Sequence, residues 1–193
     1  HSSEAFDEQL RPLILFNYTN ADSVVINPGT GISTDADTNV SFTHTLYDSV
    51  GGLLSQSVEW SAENGTIDSN GLFIPHTVGT WGISACFGAI CDIIQITVNP
   101  GDAVSHSVWS PGILQITTDQ SLDLMASVVD QHGNLVSGEV LAWSLTNGTL
   151  STISAPSQYN EAYTFNPYNA GFQTVTVSWN NIDIDVVITV NTG

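Results

Sequence analysis

Val177-Ser178-Trp179-Asn180-Asn181-Ile182-Asp183-Ile184-Asp185-Val186 decides the fold class of this chain. Apolar and polar residues alternate around Asn180-Asn181, and asparagine tolerates the positive φ that a two-residue hairpin turn requires. The stretch predicts a β-hairpin. Similar runs stand at Val24-Val25-Ile26, Val40-Ser41-Phe42-Thr43-His44, Ile93-Ile94-Gln95-Ile96-Thr97-Val98 and Leu122-Asp123-Leu124-Met125-Ala126. Turn clusters such as Asn27-Pro28-Gly29 and Asn99-Pro100-Gly101 separate them. Good helix formers never recur at i, i+3, i+4, i+7 over a helix-length window, so no helix is expected. Short strands bounded by turns at this spacing read as an all-β antiparallel sandwich.

The hairpin belongs to an internal repeat. Trp60-Ser61-Ala62-Glu63-Asn64-Gly65-Thr66-Ile67 matches Trp143-Ser144-Leu145-Thr146-Asn147-Gly148-Thr149-Leu150 at an offset of 83 residues. Upstream, Asp48-Ser49-Val50-Gly51 matches Asp130-Gln131-His132-Gly133 at 82; downstream, Phe73-Ile74-Pro75, Gly79 and Ile96-Thr97-Val98 match Phe165-Asn166-Pro167, Gly171 and Ile188-Thr189-Val190 at 92. The second copy therefore carries one extra residue near Gly138 and nine more within Ser151–Thr164. Ordered matches over a whole unit predict two homologous domains, at residues 21–99 and 102–193, preceded by an extension over 1–20 that contains one short strand. Asn99-Pro100-Gly101-Asp102 forms a short linker whose proline restricts the backbone. Trp60 and Trp143 are expected to supply much of the core of each small sandwich.

The chain has 19 acidic residues and a single basic one, Arg11, for a net charge of −18. With no basic cluster to neutralise phosphates or grip anionic lipid, nucleic acid is excluded as a partner. Apolar residues make up 41% of the chain, enough to bury a core. No run of about 18 apolar residues occurs, so no membrane-inserted segment is expected within this chain. No cleavable leader is read at the N-terminus either, and His1-Ser2-Ser3 stays outside the fold reasoning.

The run Ala126-Ser127-Val128-Val129-Asp130-Gln131-His132-Gly133-Asn134-Leu135-Val136-Ser137-Gly138 resembles the invasin and intimin type of prokaryotic immunoglobulin-like repeat. Strand, Asp-x-x-Gly-Asn turn and strand follow there in that order. The first copy is similar to the related bacterial Ig-like group in Trp60-Ser61, Asp68-Ser69-Asn70-Gly71-Leu72 and Val78-Gly79-Thr80-Trp81. The resemblance implies two tandem immunoglobulin-like antiparallel β-sandwiches. It also implies modules strung along adhesins, surface-layer proteins and secreted enzymes, as spacers or binding units rather than catalysts. Val50-Gly51-Gly52 in the first copy and the nine-residue insertion in the second depart from the pattern, so loop-borne functions do not transfer.

Cys86 and Cys91 are the only cysteines. Around a Gly88-Ala89 turn Phe87 pairs with Ile90, which sets Cys86 opposite Cys91 at a non-hydrogen-bonded rung where Cβ atoms approach most closely. A cross-strand disulfide is expected there; the alternative is a reduced, half-buried pair. Zinc would need further ligands that a hairpin does not bring. Asn-x-Ser/Thr sequons stand at Asn17, Asn39, Asn64 and Asn147, the last two in the same turn of each copy. Secretion would make them glycosylation acceptors, although Asn-Gly-Thr is also good turn chemistry. The disulfide, the absence of lysine and the surplus of acid agree on an extracellular or cell-surface location.

No nucleophile elbow is present, and His44, His76, His106 and His132 are scattered without a second ligand at metal spacing. No catalytic residue is expected and the protein reads as a non-enzyme. No cofactor is required, although calcium is a candidate ligand because clustered carboxylates are hard oxygen donors. Asp35, Asp37, Asp102 and Asp119 are the candidate residues for an interdomain ion. The apolar run Leu13-Ile14-Leu15-Phe16 reads as a strand, either an ordinary extra strand or one donated to a neighbouring subunit.

These residues together predict a spacer and adhesion module of a surface or secreted protein, whose partners are neighbouring domains or subunits. The alternatives are a filament subunit assembled by exchange of the N-terminal strand, and a carbohydrate-binding module in which Trp81, Trp109 or Trp179 stacks on sugar rings of a glycan.

Overall fold

The computed structural model describes residues 20–193. Arg11, the Leu13–Phe16 run and the Asn17 sequon lie outside the described residues. All regular structure among those described is strand. The first ten strands are β1 (Ala21–Asn27), β2 (Ile32–Asp35), β3 (Val40–Ser41), β4 (Thr43–Asp48), β5 (Leu53–Leu54), β6 (Glu59–Ala62), β7 (Thr66–Ile67), β8 (Leu72–Ile74), β9 (Gly79–Phe87) and β10 (Ile90–Asn99). After a short connection come β11 (Ser105–Trp109), β12 (Gln115–Thr117), β13 (Leu122–Val129), β14 (Ala142–Leu145), β15 (Thr149–Ile153), β16 (Glu161–Asn166), β17 (Gly171–Trp179) and β18 (Ile182–Asn191).

Strand pairing divides the chain at that connection. In the first unit the sheet β2-β10-β9-β6 faces strands β1-β4-β5 and β3-β8-β7; in the second, β12-β18-β17-β14 faces β11-β13-β16-β15. The repeat offsets recur in the register. Trp60 pairs with Ala85 and Trp143 with Val177, and Val40 pairs with Phe73 as Leu122 does with Phe165. Asn180 and Asn181 turn the β17–β18 hairpin at φ of 48° and 60°, the left-handed pair that a right-twisted hairpin favours. The nine extra residues lengthen β15 and β16, so that β16 pairs along β13 from Leu122 to Ala126 and completes a continuous sheet. The first unit lacks that length, and its corresponding sheet is interrupted at Phe42.

Each unit has its own buried apolar cluster. Ile26, Phe42, Leu46, Phe73, Ile83 and Ile96 fill the first; Leu124, Val128, Phe165, Val175 and Ile188 fill the second. Trp60 and Trp143 correct the expectation placed on them, because both are only partly buried and pack against the side of these clusters. β6 and β14 each stand at the edge of a sheet, whereas Phe73 and Phe165 on interior strands are fully buried. Edge position also suits an indole with a polar Nε1 to satisfy. Trp143 donates that N–H to Glu161 Oε2 at 2.8 Å and packs on Tyr163 at 4.7 Å between ring centroids. Trp60 instead lies beside Phe42 and His44.

Candidate functional site

Three turns of the sequence Asp-x-x-Gly-x share one geometry. In each, the aspartate carbonyl accepts the glycine N–H, and its carboxylate accepts main-chain N–H groups two and four residues on. Asp48 binds Val50 and Gly52, Asp68 binds Asn70 and Leu72, and Asp130 binds His132 and Asn134. Aspartate closes such turns because its short side chain reaches the backbone just ahead of it. In the exposed Asp68 turn the Leu72 N–H leads the effects that hold the carboxyl below the usual pKa.

The Asp130 turn does more than reverse the chain. Asp130 is 2% exposed, and its second oxygen accepts the linker N–H of Gly101 at 2.9 Å and the Asn134 side-chain amide at 2.8 Å. Burial pushes its pKa up, but the bonds from Asn134, Gly101 and His132 outweigh that and hold it below the ordinary carboxylate value. Asn134 reaches across to the first unit, where its amide donates to His76 O at 2.8 Å and its oxygen accepts the Val78 N–H at 3.2 Å. Asp37 of the first unit reaches back. It accepts Asp102 N–H at 2.8 Å and the Gln131 amide at 2.6 Å, with His132 Nε2 at 3.6 Å. The His76 and His132 rings lie 5.2 Å apart across the same seam. Two units, the linker and the turn are thus tied at one joint by side chains that bond main-chain groups.

The candidate calcium residues are only partly brought together here. Asp37 and Asp102 meet in the joint, but Asp35 accepts the Asp37 N–H and Asp119 lies at the far end of the second unit, bonded to Thr117, which lowers its pKa. Among the described residues no three His, Cys, Asp or Glu side chains form a metal-holding group. The other two histidines among the described residues are engaged with the backbone: His44 with Gln56 O at 3.0 Å and His106 with Val177 O at 3.2 Å. Cys86 and Cys91 are bonded as a disulfide at facing positions of the β9–β10 hairpin. Asn39 is exposed between β2 and β3, while Asn64 and Asn147 are half-buried in corresponding turns.

The three tryptophans weighed for sugar stacking differ. Trp81 and Trp179 are anchored by Nε1 to Thr77 O and to Glu139 Oε2, each at 2.8 Å. Trp109 is 48% exposed and stacks on Tyr159 with 13° between the rings. It borders a cleft of about 440 Å³ between β11 and β18. Of the joint, the sequence marked Asp37 and Asp102 as interdomain carboxylates, but not their hydrogen-bonding role. The Asp-x-x-Gly-Asn turn is the mark that could have pointed to Asn134.

No protein-family model matches the chain, and no curated protein does. Solved structures do. The structure of InvD from Yersinia pseudotuberculosis is 19% identical, with a TM-score of 0.52 over 89% of this chain and 57% of that one. The adhesin InvE of the same organism is 14% identical with a TM-score of 0.43, over 91% of this chain and 61% of that one. Domains 4 and 5 of the S-layer protein SbsC are 18% identical with a TM-score of 0.47, over 89% of this chain and 99% of that fragment. The likeness to InvD, with the two-sheet strand order of each unit, shows an immunoglobulin-like β-sandwich fold.

Proposed function

We propose that this chain is an extracellular structural module, a stiff two-unit spacer that sets the distance and orientation of whatever it joins. The observation that carries the reading is the joint at Asp37, Asp130 and Asn134, where hydrogen bonds run from each unit to the other and to the linker. A flexible tether needs no such bonds, since a short polar linker alone would serve. The disulfide suits an oxidising compartment, and a lysine-free, acidic surface suits a setting where salt screens like charges. Adhesin and S-layer proteins among the structural neighbours support the same reading. Residual dipolar couplings, or small-angle scattering fitted to the angle between units, test it. One narrow orientation is expected, broadened by Asn134→Ala with Asp37→Ala. A broad distribution in the unaltered chain would defeat the proposal.

A further inference from the structure

The two units differ at one open edge. β10 is paired by β2 only from Ile96 to Asn99, and β18 by β12 only along Thr189–Asn191, so the earlier part of each strand has one edge without a partner strand. In the first unit that edge is closed. β1 lies along β10, and Ile26 N–H donates to Asp92 Oδ2 at 2.8 Å. In the second unit the position corresponding to Asp92 is Ile184, which offers no such acceptor. β11 stands away from β18, and the cleft of about 440 Å³ opens between Val108, Trp109, Leu114 and Leu124 on one side and Ile184–Val187 on the other. Its rim is apolar and open: Trp109 is 48% and Val187 52% exposed. An exposed strand edge above an apolar floor is a template for an added strand.

We infer that this cleft receives the Leu13–Phe16 segment of a second copy of the chain as an added strand beside β18. Three properties of the segment fit. Four consecutive apolar residues suit a strand covered on both faces. The apolar run Leu13–Phe16, about 13 Å long at about 3.3 Å per residue, fits within the open edge Ile182–Val187. Arg11, the only basic residue in the chain, stands two residues before this run, and Asp185 lines the cleft with Asp183 on the same strand. Charge therefore favours this segment over any other in the protein.

Chain reach makes the occupant a second copy. Ala21 lies at the end of the first unit remote from the linker: it pairs with Asp48, while Ile26 bonds Asp92, seven residues before Asn99 on β10. At about 3.3 Å per residue, Ala21 stands about 40 Å from Asn99, and the cleft lies beyond it. Five backbone steps from Phe16 to Ala21 span at most about 18 Å. A segment delivered in trans, with each chain giving one strand and taking one, makes a head-to-tail contact that propagates. This contact is independent of the joint between units.

Sedimentation of the full chain over a concentration series tests the inference. Concentration-dependent assemblies are expected, and they should disappear on deleting residues 1–19 while circular dichroism of the sandwiches is unchanged. Val187→Lys, an exposed substitution that opposes Arg11, should weaken assembly at least tenfold. A synthetic peptide of residues 9–19 should bind the truncated chain and bind its Val187→Lys form at least tenfold more weakly. A monomer at every concentration, or assemblies that survive the deletion, would overturn it.

Discussion

Asn134 of the second unit donates its side-chain amide to the carbonyl oxygen of His76 in the first, 2.8 Å away, while its oxygen accepts the Val78 N–H. One side chain thus satisfies two main-chain groups of another unit, a pairing that no methyl group can replace. Asn134→Ala is expected to cost about 1–3 kcal/mol, because the freed groups must find water at a partly buried seam. The loss should fall on coupling between units, so that calorimetry of the variant resolves two unfolding transitions where the unaltered chain shows one. A single unshifted transition would contradict this role.

Acid should loosen the same joint. The Asp130 carboxyl has its folded-state pKa held below the unfolded value of about 3.9. Its contribution is therefore complete above that pH and is lost as pH falls through the folded-state pKa. Acidification also relieves repulsion among 19 acidic residues, which acts in the opposite direction. The comparison that isolates Asp130 is the difference in melting temperature between the unaltered chain and Asp130→Asn. That difference should be largest near neutral pH and shrink below about pH 4. A constant difference across the range would exclude the carboxylate as its source.

The sandwiches were legible because their signals are local or repeated. Alternation around Asn180-Asn181 reports a hairpin whose partners are adjacent in the chain, and the 83- and 92-residue offsets meet again in the pairs Trp60–Ala85 and Trp143–Val177. Of the joint, only Asp37 and Asp102 were legible, as interdomain carboxylates, and not the bonds they make. Its contacts join residues far apart in sequence, as between Asp37 and Gln131, and most end on main-chain atoms, which every residue type carries. The tryptophans were misjudged for a related reason: size and repetition mark importance, but whether a strand lies at a sheet edge or in its interior is a property of the assembled sheet.

That edge position gives a graded expectation. Trp60→Ala and Trp143→Ala should each cost less than full burial of an indole implies, about 2–3 kcal/mol against the 3–5 typical of buried aromatics. Trp143 should be the costlier, since its loss also leaves Glu161 without the indole N–H and exposes Tyr163. Urea unfolding of both variants checks the order. Equal losses would mean that the Glu161 bond contributes nothing net.

Gly101 reports how tightly the linker is held. A Cβ built there falls on the Asp37 carboxylate, the group that accepts Asp102 and Gln131. The Gly101 N–H meanwhile is fixed on Asp130 at 2.9 Å. Neither neighbour can yield without giving up a bond, because the glycine is pinned from one side and overhung from the other. Gly101→Ala should therefore displace Asp37, break its bonds into the second unit and widen the distribution of angles between units. The interior of each sandwich lies away from this position, so far-ultraviolet circular dichroism should be unchanged. Amide exchange should rise at Asp102, whose N–H is held by the Asp37 carboxylate, while Ile83 and Val175 stay protected. Protection lost at those two core strands would place the strain in the sandwiches and remove the linker from the list of elements that set the angle.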